Sequence, residues 1–170
     1  MTGRPEPTEY ASFYADYVKR ADTDNVIDAL EKQIGEVTSV IRRIPDSATL
    51  EHRDGKWSVR EVLSHLIDGE RIFSYRAFRF SRKDAQPLSG FEQDDYVREG
   101  NANARPTSEL LEEFSLLRRA TVATFRNITP EIGIRRGVAN GAEISVRAML
   151  YVILGHARRH MEIIKQRYGV

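Results

Sequence analysis

His156 and His160 stand one helical turn apart in the stretch GHARRH, residues 155–160, and the chain has only four histidines. On a helix, residues i and i+4 project from one face, so a single divalent ion could be held between these imidazoles. The stripe they share otherwise carries Val146, Met149, Leu150, Ile153 and Ile164. Apolar burial does not call for imidazoles there. Either one could instead be a core side chain hydrogen-bonded to a carbonyl, as buried polar groups usually are. A third histidine, His65, lies in LSHLID beside Val62, Leu66 and Ile72, near the edge of another apolar stripe. If the two segments are neighbouring helices, three imidazoles converge from two rigid elements, where metal sites in helical bundles are commonly built. Three imidazoles leave room on an ion for water or substrate, which marks a catalytic site rather than a closed structural one. His52, in the polar run LEHRDGK, reads as a surface residue.

Zinc and nickel both suit imidazole, and affinity order alone does not choose between them. Glu61 and Asp68 flank His65 at four and three residues, so either could orient an imidazole N–H from behind. Glu61 also has a second explanation as a capping acid, and Asp68 could pair with Arg71 or Arg60. Other constellations are weaker. Asp94 and Asp95 are adjacent and should point apart. Ser64 precedes His65 on a different helix face, while Arg158 and Arg159 read as a solvated face. The three histidines are expected as metal ligands, and the sequence points to no catalytic residue beside them.

Four segments must position these groups. The first has Val26, Ile27, Leu30, Ile34, Val37, Val40, Ile41 and Ile44 at helical steps, with Asp24 as its expected N-cap and Pro45 as its stop. The second opens at WSVREV, where Ser58 and Glu61 have capping-box spacing and Trp57 and Val62 can form a hydrophobic staple; it runs to near Ser81. The third opens at Pro106-Thr107, continues through Leu110, Phe114, Leu117, Thr121 and Phe125, and ends before Pro130. The fourth runs from Ser145 to about Tyr168, before Gly169. Four such helices without a long strand pattern predict an all-α four-helix bundle. Residues 83–106 form a link far longer than the usual ~2–8 residues between bundle helices, so it can cross the bundle. FEQDDYVREG within it reads as a short helical turn, and Asn140-Gly141 as the turn of a small hairpin. The chain reads as one domain over 1–170, with 1–23 an N-terminal extension whose Tyr10, Phe13, Tyr14 and Tyr17 pack on the bundle.

Basic residues number 26 and acidic 25, mixed along the chain without the basic stripe expected of a phosphate-backbone binder, so no nucleic-acid partner is expected. There is no cysteine, which excludes thiolate metal sites and a cysteine nucleophile. MTGRPEPTEY lacks the apolar core of a signal peptide, and no window approaches the ~18 apolar residues of a membrane span. A cytoplasmic protein without a membrane partner is expected.

WSVREVLSHLIDGERIF, FEQDDYVREGNANARPTSELLEEF and GVANGAEISVRAMLYVILGHARRHMEIIKQRYG together resemble the DinB-like superfamily, near its YfiT-like branch, from Asp24 onward. The resemblance implies a four-helix bundle with a crossover connection. It also implies a divalent metal held by one histidine of the second helix and two of the last, positions that match His65, His156 and His160. Many relatives carry a further histidine or an acid within the last motif. This chain has Ala157, Arg158 and Arg159 there, which makes the surroundings more basic, so the substrate class does not carry over. The implied activity is metal-dependent hydrolysis of a small molecule, since a cation held by neutral imidazoles lowers the pKa of bound water toward about 7. A thiol-dependent S-transferase using the same metal is the alternative, as is a bundle that binds a metal or ligand without turning it over. Homodimers are also implied.

Overall fold

The computed structural model describes residues 3–170. Two short 3-10 turns lead into α1 (Ala15–Arg20), followed by α2 (Val26–Arg42) and α3 (Val59–Ser81). Next come α4 (Gln93–Glu99), α5 (Thr107–Phe125), α6 (Pro130–Gly133), β1 (Arg136–Ala139), β2 (Ala142–Ser145) and α7 (Val146–Tyr168).

The helix starts follow local chemistry. At α3 the Ser58 hydroxyl accepts from the Glu61 N–H at 3.1 Å while the Glu61 carboxylate accepts from the Ser58 N–H at 2.7 Å, the reciprocal box expected there. At α7 the Ser145 hydroxyl accepts from the Ala148 N–H at 3.0 Å. Such caps are worth about 1 kcal/mol each. The start of α2 differs from expectation: Asn25, not Asp24, accepts from the Asp28 N–H. Asp and Asn cap about equally well, so sequence alone could not separate adjacent candidates. The hairpin forms as expected, with Arg136 opposite Ser145 and Ala139 opposite Ala142. Asn140 and Gly141 both adopt positive φ, the mirror-image turn that suits a two-residue hairpin.

Each of α2 and α3 packs against both α5 and α7. Around the bundle the order is therefore α2, α5, α3, α7, and the chain's sequential pairs α2/α3 and α5/α7 lie across diagonals. Helices α3 and α5 run parallel. Arg60 near the start of α3 bonds Thr107 at the start of α5, Glu70 meets Arg118 midway, and Phe80 shares a core cluster with Phe125 at the far end. Parallel neighbours need a connection that returns the length of the bundle, which is what residues 83–106 provide. The link also donates Leu88, whose N–H bonds the Val138 carbonyl and so ties it to the hairpin.

Two apolar clusters fill the interior, one toward the Val26 and Phe80 end and one toward the Ile41 and Leu63 end. Between them lies a polar layer. The Arg118 Nε donates to both Glu70 oxygens at 2.8 and 2.9 Å, its Nη1 donates to Gln33, and Gln33 Nε2 donates to the Leu154 carbonyl at 3.0 Å. One buried network thus touches all four long helices. In the N-terminal segment α1 lies along α7 and Tyr14 is buried, while Phe13 stays exposed. Glu9, in the first turn of the same segment, is buried and accepts from Ser145 Oγ at 2.7 Å and from Arg147. No helix among the described residues is long and apolar enough to cross a membrane.

Candidate metal centre

Helix α3 delivers His65 and α7 delivers His156 and His160, and because α3 and α7 are packed neighbours the three imidazoles meet. Their nearest ring nitrogens all lie within 4.8 Å of one another. His65 Nε2 and His156 Nε2 are 2.8 Å apart, a hydrogen bond in which one neutral tautomer donates to the other. The rings pack edge to face, with centroids 4.7 to 4.8 Å apart. His65 and His156 are buried and His160 is half-buried.

Burial sets the charge state. Desolvation pushes His65 down to about 4, against a smaller opposing pull from the Asp94 carboxylate. Desolvation, then the charges of His65 and Arg159, pushes His160 down to about 3. His156 is held well below the ordinary imidazole value of 6.5, by burial first and then by its two histidine neighbours. All three are therefore neutral at physiological pH, each with a nitrogen lone pair available.

Aromatic rings fix the imidazoles in place. Trp57 lies over His65 at 4.9 Å between centroids, while Tyr17 and Phe73 meet His156 edge-on at 5.3 and 5.8 Å. The backbone helps too. A Cβ on Gly69 would sit 3.1 Å from His156 Cε1, so α3 presents a bare patch where the ring needs room.

Glu61 and Asp68 are engaged elsewhere. Glu61 serves the cap, contacts His52 Nε2 at 2.8 Å and accepts from Asn103 Nδ2 at 3.0 Å. Asp68 pairs with Arg71 at 3.8 Å. No hydrogen bond among the described residues joins either acid to His65, His156 or His160. His52 is exposed, as expected. Arg158 and Arg159 depart from the simple solvated face: Arg158 donates to the Arg20 carbonyl at 2.8 Å, and Arg159 pairs with Asp16 and lies over the Tyr17 ring. They fasten α1 to α7. Asp94 and Asp95 point to different neighbours, Asp95 pairing with Arg98 at 2.7 Å.

His65 and His156 line a cavity of about 310 Å³ together with Tyr14, Tyr17, Phe73 and Arg76 and with Gly90 to Gln93 of the long link. A larger groove of about 850 Å³ between α2 and α5 holds none of the histidines. The cavity was invisible to motif reading, although one signal existed. His65, Gly69, Phe73 and Arg76 recur at i, i+4, i+8 and i+11, one continuous face of α3.

The family model described as the DinB superfamily matches residues 29–164. No curated protein matches the chain. Among solved structures the chain is similar to YfiT from Bacillus subtilis, with a TM-score of 0.78 and 20% sequence identity over 98% of this chain and 95% of that one. YfiT is described as a probable metal-dependent hydrolase with an unusual four-helix bundle topology. That likeness establishes the four-helix-bundle fold. With the family match spanning all four long helices, the chain belongs to the DinB superfamily.

Proposed function

We propose that the protein is a metal-dependent hydrolase of a small molecule, with one divalent ion, zinc or nickel, held by His65, His156 and His160. The observation that carries this reading is the convergence of three neutral imidazoles from two rigid helices, two of which, His65 and His156, line a cavity with aromatic walls. The donor set fits such an ion. Uncharged nitrogens suit a borderline divalent cation, and one from each ring stands within 4.8 Å of the other two.

When bound, the ion would supply Lewis acidity and lower the pKa of a water molecule at its open position. The chain's own groups do the rest. Burial keeps the imidazoles unprotonated, so protons do not compete for their lone pairs near neutral pH. Trp57, Tyr17 and Phe73 hold the rings in one orientation and limit bulk water. Gly90 to Gln93 cover the substrate side. The similar fold of YfiT, a probable metal-dependent hydrolase, supports the same activity.

Elemental analysis of tag-free protein beside His160→Ala tests the reading, followed by a hydrolysis screen with and without chelator. About one metal per chain in the wild type, lost in the variant, with chelator-sensitive turnover of an amide or ester, is the expected result. Absence of tight metal from both proteins would reduce the cluster to hydrogen-bonded core histidines.

A further inference from the structure

Three arginines are buried among the described residues. Arg60 faces Asp46 and Arg118 faces Glu70, each at hydrogen-bond distance from a carboxylate. Arg76 has no acidic partner among the described residues. Its Nη2 donates to the Ser89 carbonyl at 2.6 Å, the Tyr14 hydroxyl lies beside it, and its Cζ stands 5.9 Å from the centre of the Phe73 ring. A guanidinium has five N–H donors, and these neighbours leave it without a compensating negative charge. Yet Arg76 is only 3% exposed. An unpaired buried cation is costly, and burial draws its pKa below the ordinary arginine value.

Position gives the charge a use. Arg76 lines the same cavity as His65 and His156, and Phe73 touches both the guanidinium and the His156 ring. Gly69, against which His156 rests, lies two turns before Arg76, about 10 Å along the helix axis. Side chains on a helix lean toward its N-terminus, so the guanidinium reaches back toward the imidazoles. The acid at the rim, Glu92, is exposed, where water and salt weaken its field.

We propose that Arg76 anchors a carboxylate of the molecule that occupies this cavity, with an aromatic or apolar body lying along Phe73 and Tyr17 toward the imidazoles. Together with the hydrolase reading, on which this part rests, the substrate class becomes small carboxylate-bearing amides or esters. The guanidinium donates to the two carboxylate oxygens through a fork of N–H groups, a geometry that lysine cannot reproduce. The anchor itself does not depend on the metal.

The test is calorimetric titration of metal-free protein with benzoate and with its neutral counterpart benzamide. Removing the metal first matters because a carboxylate could otherwise bind the ion. Benzoate should bind at least about tenfold more tightly than benzamide, an advantage that Arg76→Met abolishes and Arg76→Lys only partly keeps. Circular dichroism checks that the variants fold. If Arg76→Met does not, the wild-type comparison still decides, as does an NMR shift of the Arg76 Nε–H on adding benzoate, assigned with Arg76→Lys. Equal binding of the two probes, no saturable benzoate binding, no Nε–H shift, or an undiminished benzoate preference in folded Arg76→Met overturns the anchor. Metal content measured on the same preparations before stripping tests the metal reading separately, so either can fail alone.

Discussion

The carbonyl oxygen of Tyr17 lies 1.8 Å from where a Cβ on Gly155 would be placed. Backbone therefore meets backbone at the crossing of α1 and α7, and only glycine permits it. The glycine that precedes His156 in GHARRH is there for this approach, which also seats the Tyr17 ring against His156.

Gly155→Ala should push α1 off α7, because the clash is with main chain and no rotamer change relieves it. We expect a loss of about 1–3 kcal/mol in chemical denaturation, with residues 3–25 becoming the first site of limited proteolysis. A variant as stable and as resistant to protease as the wild type would show that the crossing is not tight in solution.

Arg118→Met leaves the Glu70 carboxylate buried without its partner and should cost about 3–5 kcal/mol. Adding Glu70→Leu removes the stranded charge, and most of that stability should return in urea titrations of the double variant. Additive losses in the double variant would instead place the energy in packing around each side chain.

Glu9 makes stability depend on acid. Burial alone would raise its carboxyl, but hydrogen bonds from Arg147, the Glu6 N–H and Ser145 outweigh that and hold it below the ordinary 4.5. The folded-state pKa is thus depressed, so the contribution is fully present above 4.5 and is lost as pH falls from there through the folded value. The loss should approach about 1.4 kcal/mol per pH unit within that window. Glu9→Gln should flatten this part of the stability-against-pH curve; an unchanged curve would assign the acid sensitivity to other groups.

Metal should stabilise the folded chain, since the unfolded chain cannot bring histidines 91 residues apart to one point. Zinc or nickel at about 100 times its dissociation constant should add about 2.7 kcal/mol over the stripped protein. In His65→Ala that increment should shrink sharply. Equal stabilisation of wild type and variant would mean the ion binds elsewhere.

Much of this molecule was legible residue by residue. The Ser58–Glu61 box, the Ser145 cap, the Asn140-Gly141 turn and the limits of α3 and α7 depend on contacts within a few residues, which any local reading includes. The i, i+4 spacing likewise places His156 and His160 on one face before any fold is known. The choice between Asp24 and Asn25 as a cap failed because two equivalent acceptors stood side by side.

What only the tertiary structure decided is which surfaces meet. That α3 lies beside α7 and diagonal to α2 follows from how whole helix faces pack, and it alone turns His65 from a core-edge residue into a neighbour of His156. The diversion of Glu61 and Asp68 has the same origin, since His52, Asn103 and the cap compete for the first and Arg71 takes the second. Arg76 is the clearest case. In sequence it is one of many arginines, because charge is a property of the residue; being buried beside a cavity without a carboxylate is a property of its surroundings, and those come from α1, α3 and the long link closing together.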